Sequence, residues 1–241
     1  MPKLLLAVLA ALLLSACEQS PEQADRLLAI RCGNLIDGLA DEALGGRTIV
    51  IENERIAALQ PLDAAAPDGA EILDLSDSTC LPGLIDTHTH IALNHDDSSD
   101  LTVYYGRTMA DNMAITVANA DVTLKAGFTT IRNVGDYFPE AILEARKRIR
   151  AGEIRGPRIQ TAGSYLTIPG GGGDLVVPGH DESEIPPGVR IGVARGPEAF
   201  AAATQQILDN GADMIKIIAS GAVFAFGGIP GAPEMTPQEI A

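Results

Sequence analysis

Ten residues, Leu81 to His90 (LPGLIDTHTH), join a turn, a short apolar run and two imidazoles. In a strand successive side chains alternate faces, so Asp86, His88 and His90 point one way and Thr87 and Thr89 the other. Neutral imidazole is the commonest side-chain ligand for zinc and similar ions, and two on one face supply half of a tetrahedral site. Leu84 and Ile85 fit a strand buried on both faces of a parallel sheet, and such strands present their chemistry at the carboxyl end, where the histidines sit. Lys216 is the second informative position. In ADMIKIIASG, Met214, Lys216 and Ile218 share one strand face and Asp213, Ile215 and Ile217 the other, which sets a lysine inside the sheet. A buried ammonium is costly, so this lysine must be paired, neutral or modified, with Asp86 and Asp213 as candidate partners. His95 and His180 lie in polar loops and read as surface residues.

The elements that must hold these side chains follow from the pattern around them. From Leu27 to Leu75 short runs (LLAIRC, GNLIDG, GGRTIVIENERIAALQ, AEILDLS) alternate with turn residues and read as antiparallel β, with hairpin turns at Asn34 to Gly38 and Glu52 to Arg55. Thr48 and Val50 against Ile49 and Ile51 fit a half-buried pair of strands. After a polar loop, Asn94 to Asp100, a helical stretch runs to about Ala126, with Met109, Met113, Val117 and Ala120 as its core stripe. FTTIRNVG is a second strand of the parallel sheet, Pro139 to Ala151 a helix, RIQTAGS a third strand, Pro197 to Asn210 a helix opened by proline and closed by glycine, and ADMIKIIASG a fourth strand. Strand and helix in alternation argue for right-handed βαβ units around a parallel sheet.

PG-hydrophobic-hydrophobic-D-x-H-x-H resembles the motif that opens the barrel of the amidohydrolase superfamily of metal-dependent hydrolases. The resemblance, to imidazolonepropionase-related and Xaa-Pro dipeptidase-like members, runs from about Leu27 onward. It implies an α/β chain: a TIM-like (β/α)8 barrel of which residues 80–241 hold about the first half, preceded at 27–79 by part of a small β-sandwich. A complete barrel needs eight units in roughly 250 residues. DMIKIIASGAV resembles the fourth barrel strand, whose lysine in several members is carboxylated and bridges two metals; that role falls on Lys216. The implied metal ligands are therefore His88, His90 and Lys216, with two zinc ions as cofactor. The remaining histidines and the proton-shuttling aspartate are expected after Ala241, so no catalytic residue is expected within the chain and the truncated chain is expected to be inactive. The implied reaction is hydrolysis of an amide or peptide bond: paired ions lower the pKa of a water, and metal-bound hydroxide attacks the polarised carbonyl of a small molecule or dipeptide. A mononuclear, deaminase-like member would leave Lys216 unmodified, and a non-catalytic lipoprotein module or pseudoenzyme that keeps half the fold is the alternative to an enzyme.

Around this centre, Asp86 is either support for an imidazole or a structural hydrogen-bonding group. The loop YLTIPGGGGD (Tyr165 to Asp174) lacks the ending of a P-loop and reads as a barrel loop over the site, with Tyr165 and Asp174 as substrate-binding candidates. Relatives often carry a histidine before Gly-Asp here, where this chain has Gly172. Ser220 and Gly221, just past Lys216, are expected to line the mouth. The formal charge of −15 leaves no basic surface for phosphates and argues against nucleic acid as a partner. Residues 1–16 form a signal peptide, with one lysine and an apolar run too short to span a bilayer. Leu14 to Cys17 resembles a bacterial lipobox, which implies lipidation at Cys17, a tether over 17–26 and an exported protein anchored on the periplasmic face of the membrane. Export permits a Cys32–Cys80 disulfide, but the two apolar-flanked cysteines fit buried free thiols as well.

Overall fold

The structure is a computed structural model that describes residues 26–223 and 229–241. The expected signal peptide and Cys17 lie outside the described residues. The chain divides between Pro82 and Gly83 into two compact units.

The first unit is one four-stranded sheet built from β1 (Leu27–Leu35), β2 (Leu44–Glu52), β3 (Arg55–Pro61) and β4 (Glu71–Cys80), in the order β3-β2-β1-β4. β1 pairs antiparallel with β2 but parallel with β4, which corrects the expectation of a wholly antiparallel region. LLAIRC and GNLIDG are not two strands: β1 continues through Gly33, where the register with β4 slips. A Cβ on Gly33 would lie 2.1 Å from the Ser76 carbonyl oxygen, so the two backbones meet there only because residue 33 lacks a side chain. The turn at Asn53 is as expected, with φ of 58° at that asparagine. Cys32 and Cys80 are joined by a disulfide, with Cα atoms 5.8 Å apart. Thr48 and Val50 are buried, as their alternation with Ile49 and Ile51 suggests.

The second unit is α/β. β5 (Leu84–Thr89), β6 (Phe128–Asn133) and β7 (Arg158–Thr161) form a parallel sheet in that order, and β8 (Tyr165–Leu166) pairs in parallel with β9 (Lys216–Ile217). Between them run α1 (Met109–Lys125), α2 (Pro139–Arg150) and α3 (Pro197–Asp209); α4 (Pro237–Ile240) ends the chain. No closed barrel forms among the described residues. Among the described strands β5 lies at an edge, and this overturns the expectation that Leu84 and Ile85 are buried on both faces: Ile85 is 65% exposed, because of the described strands only β6 flanks it. Ile131 of β6 and Ile159 of β7 pack with Ala120 of α1 and Ile142 of α2 into a core.

The first helix also departs from its pattern. The 3₁₀ turns His95–Ser99 and Leu101–Tyr104 precede it, and α1 begins only at Met109, capped by Thr108, whose side chain forms a capping box with Asp111. Its buried stripe is Asn112, Thr116 and Ala120, while Met109 is exposed and Met113 and Val117 only half-buried. The polar stripe is tolerated because Asn112 Nδ2 donates to the Thr108 carbonyl at 3.1 Å and Thr116 Oγ1 to the Asn112 carbonyl at 2.7 Å.

Candidate functional site

β5 delivers His88 and β5's exit delivers His90, so the two rings lie edge to face with centroids 5.4 Å apart. β9 brings Lys216 to the same place, and all three line one cavity of about 260 Å³. The sequence stretches that could do chemistry are 126 residues apart in the chain, counted from His90 to Lys216, and the pairing of β9 with β8 sets the lysine there. Lys216 is half-buried and has no carboxylate partner among the described residues. Asp213, one of its expected partners, is bound by Arg146. Asp86 accepts the His88 backbone N–H at 3.0 Å, and among the described residues no hydrogen bond joins its carboxylate to either imidazole.

His90 is the most constrained of the three. Its Nδ1 lies 2.8 Å from the Gly135 carbonyl oxygen and 3.1 Å from the Tyr165 hydroxyl. A carbonyl only accepts, so the short contact requires the proton on Nδ1 and leaves the Nε2 lone pair free. Burial lowers the pKa of this imidazole, the Gly135 carbonyl opposes that effect, and the nearby His88 and Lys216 lower it further. A neutral ring with a free Nε2 is the form a metal ligand requires. The donor chemistry therefore fits a zinc-type ion, as two imidazoles and an amine that can be modified. Among the described residues no three His, Cys, Asp or Glu side chains gather into a metal-holding group, so the set is partial.

The wall of the cavity is aromatic and apolar: Leu93, Leu101, Tyr104, Tyr137, Tyr165 and Ile218. Burial first, then the charge of Asp136, raises the pKa of the Tyr165 hydroxyl well above its usual value, and burial pushes that of Tyr137 up to about 12. Both remain phenols at neutral pH. Ser98, Leu101 and Tyr104 come from the two 3₁₀ turns and Asn94 from the residue that precedes the first; Asp97 holds them. That carboxylate accepts from two Arg107 nitrogens, from Tyr104 and from the Asn94 backbone N–H.

The other sequence candidates divide. Tyr165 is in the cavity. Asp174 is not: its side chain is fully buried, where it accepts from Arg190 at 2.7 Å and from the Gly170 N–H at 2.9 Å, and it fastens the glycine loop. Ser220 and Gly221 do not line the cavity either; they bridge to Pro233 and Pro230, and Ala222 takes the place expected of them. Gly172 does line it, and a Cβ there would sit 2.6 Å from Ala222 Cβ and 3.1 Å from Ile218 Cγ2. Those two side chains fill the space a histidine would need. His95 and His180 are exposed. Sequence reasoning assigned no role to the wall tyrosines Tyr104 and Tyr137, to the Gly135 carbonyl or to Asp97 with Arg107. Asn-Val-Gly-Asp at the end of a parallel strand was the available signal for Gly135.

Residues 79–241 match the model of the amidohydrolase family. A curated relative, ochratoxinase of Aspergillus niger, is 27% identical over 231 residues, a match covering 89% of this chain and 46% of the relative. Among solved structures, a Xaa-Pro dipeptidase with methionine bound in its active site is 31% identical with a TM-score of 0.80, over 89% of this chain and 52% of that one. The structure of A. niger ochratoxinase is 25% identical with a TM-score of 0.74, over 90% and 52%. The chain spans about half the length of the curated relatives named ochratoxinase that it matches.

Proposed function

The chain belongs to the amidohydrolase family, and from that premise we propose that it carries the first half of a metal-dependent site for hydrolysing a carbon–nitrogen bond in a small amide or dipeptide. The observation that carries this reading is the convergence of His88, His90 and Lys216 on one cavity. His88 and His90 would hold zinc through their imidazoles. Lys216, once neutral, would add to carbon dioxide, lose one proton and offer carbamate oxygens to two ions. When bound, such ions lower the pKa of a water and polarise the scissile carbonyl.

The chain's own residues do the remaining work. Gly135 orients His90 by accepting its Nδ1–H through the carbonyl, and the Tyr165 hydroxyl stands 3.1 Å from the same nitrogen. Leu93, Leu101, Tyr137 and Ile218 receive an uncharged apolar group of the substrate and keep water from it. No carboxylate among the described lining residues could pair with a cationic side chain. In the same reading residues 80–241 are the first half of a (β/α)8 barrel, 27–79 part of a β-sandwich, and Cys17 the lipidated terminus of an exported protein. The mass of the mature amino terminus tests the last point; an unmodified Met1 would overturn it.

A second reading, a non-catalytic module that keeps half the fold, is favoured by the partial donor set among the described residues. Zinc titration of the intact protein, with hydrolysis assays on Xaa-Leu, Xaa-Pro and Xaa-Arg dipeptides and on N-acyl amino acids, decides between the two. Bound zinc and turnover that favours apolar over cationic substrates is the expected result. Zinc binding without turnover across the panel would leave the module.

A further inference from the structure

The turn from Asn133 to Asp136 has a feature that catalysis alone does not require: it buries a carboxyl group next in the chain to Gly135, whose carbonyl meets His90. Asp136 is 1% exposed and Asn133 fully buried. Asn133 Nδ2 donates to Asp136 Oδ2, while Asn133 Oδ1 accepts the Ile91 N–H at 2.9 Å, one residue past His90. The Asp136 N–H donates to the Gly163 carbonyl at 2.8 Å, and the Val134 N–H to the Thr89 carbonyl at 3.0 Å. Between these fixed points lies Gly135, with φ of 105°, and a Cβ on it would come within 2.6 Å of the Tyr165 ring. Only glycine adopts that conformation against that ring without strain.

We propose that Asn133 and Asp136 form a clip that selects the His90 tautomer, by holding the Gly135 carbonyl closer to Nδ1 than the competing Tyr165 hydroxyl. The two neighbours of Nδ1 demand opposite things. The carbonyl accepts, which puts the proton on Nδ1 and frees Nε2. The phenol can donate, which would put the lone pair on Nδ1 and the proton on Nε2, the nitrogen that faces a metal. With the carbonyl displaced, Tyr165 captures the ring in the form that cannot ligate without first losing a proton. Asn133 and Asp136 are thus positioning residues, acting through Gly135 and the backbone that follows His90. The inference rests on the reading of His90 as a metal ligand, but the tautomer itself is measurable without metal.

Two measurements on the intact protein test it. Nitrogen-15 NMR of the histidine rings in the metal-free wild type should show His90 protonated at Nδ1; protonation at Nε2 overturns the clip whatever the variants do. Zinc affinity, read by competition with a chromophoric chelator, should fall about 10- to 100-fold in Asp136→Ala and in Asn133→Ala, the usual cost of losing support behind a ligand. Asp136→Asn, which can still accept from Asn133, should restore most of it. Adding Tyr165→Phe to Asp136→Ala should also restore affinity, because the competing donor is gone; a merely structural role for Asp136 predicts no such rescue. Equal affinity in the wild type and both alanine variants sinks the proposal. A wild type that binds no zinc yet shows the Nδ1 proton overturns the metal reading and leaves the clip standing.

Discussion

At the scale of single residues, Asp97 makes the clearest case for how a buried charge shapes the cavity. Burial by itself would raise its pKa, but the Arg107 guanidinium, the Asn94 N–H and the Tyr104 hydroxyl overturn that and hold the carboxyl below its ordinary value. A depressed carboxylate contributes stability that is present above the unfolded pKa, about 4, and lost as the pH falls through the lower folded value. Acid unfolding monitored at pH 2 to 5 should therefore show a steep loss that flattens in Asp97→Asn. Asp97→Ala leaves the mostly buried Arg107 side chain without its partner, and urea unfolding should report a cost of about 3 kcal/mol. An exposed Arg107, free to find water, would cost under 1 kcal/mol instead. His88 and His90 were legible from spacing alone, because a strand's period of two decides which side chains share a face. The burial of Asp174 against Arg190, away from the cavity lining, was not legible because Arg190 lies in another turn of the loop and no periodicity relates them.

At the scale of elements, two features of the first sheet depend on pairing. The Cys32–Cys80 bridge ties β1 to the end of β4 across 48 residues, closing a loop whose unfolded entropy it restricts. Replacing both cysteines by serine should lower stability by about 2–4 kcal/mol in denaturant melts under oxidising conditions. Equal stability of wild type and variant under those conditions would mean that the thiols are not joined in solution. The parallel pairing of β1 with β4 was not legible, because hydrophobic alternation fixes the face of a strand but not the direction of its neighbour. The α1 stripe failed for a related reason. Asn112 and Thr116 read as polar, yet the Asn112 amide nitrogen and the Thr116 hydroxyl each donate to a carbonyl on the preceding turn, so both are buried.

At the scale of the whole molecule, the described sheets leave an edge on β5, with Leu84 and Ile85 exposed on the strand that carries His88. A ligand that binds only the folded chain stabilises it by mass action, about 2.7 kcal/mol at a hundred times its Kd. Zinc should therefore raise the melting temperature of the intact protein, with the effect abolished by a His88→Ala, His90→Ala double variant; an undiminished shift in that variant would place the ion elsewhere. If Lys216 is carboxylated, the metal-loaded protein carries a mass increment lost on acidification, and its absence would remove the bridging role. The sequence by itself determined the α/β class of the second unit, the alternation of β5, β6 and β7 with α1 and α2, and the three side chains that meet in the cavity, because each rests on local period and residue chemistry; the expected fourth strand of that sheet is instead the two-residue β9, paired with β8 apart from it. Only the tertiary structure decided the rest: the His90 tautomer, the aromatic wall, the removal of Asp174, Ser220 and Gly221 from the lining, and the Cys32–Cys80 bridge. Those depend on contacts between segments remote in the chain, and a hydrogen bond such as that from His90 to Gly135, 45 residues away, has no signature in either segment alone.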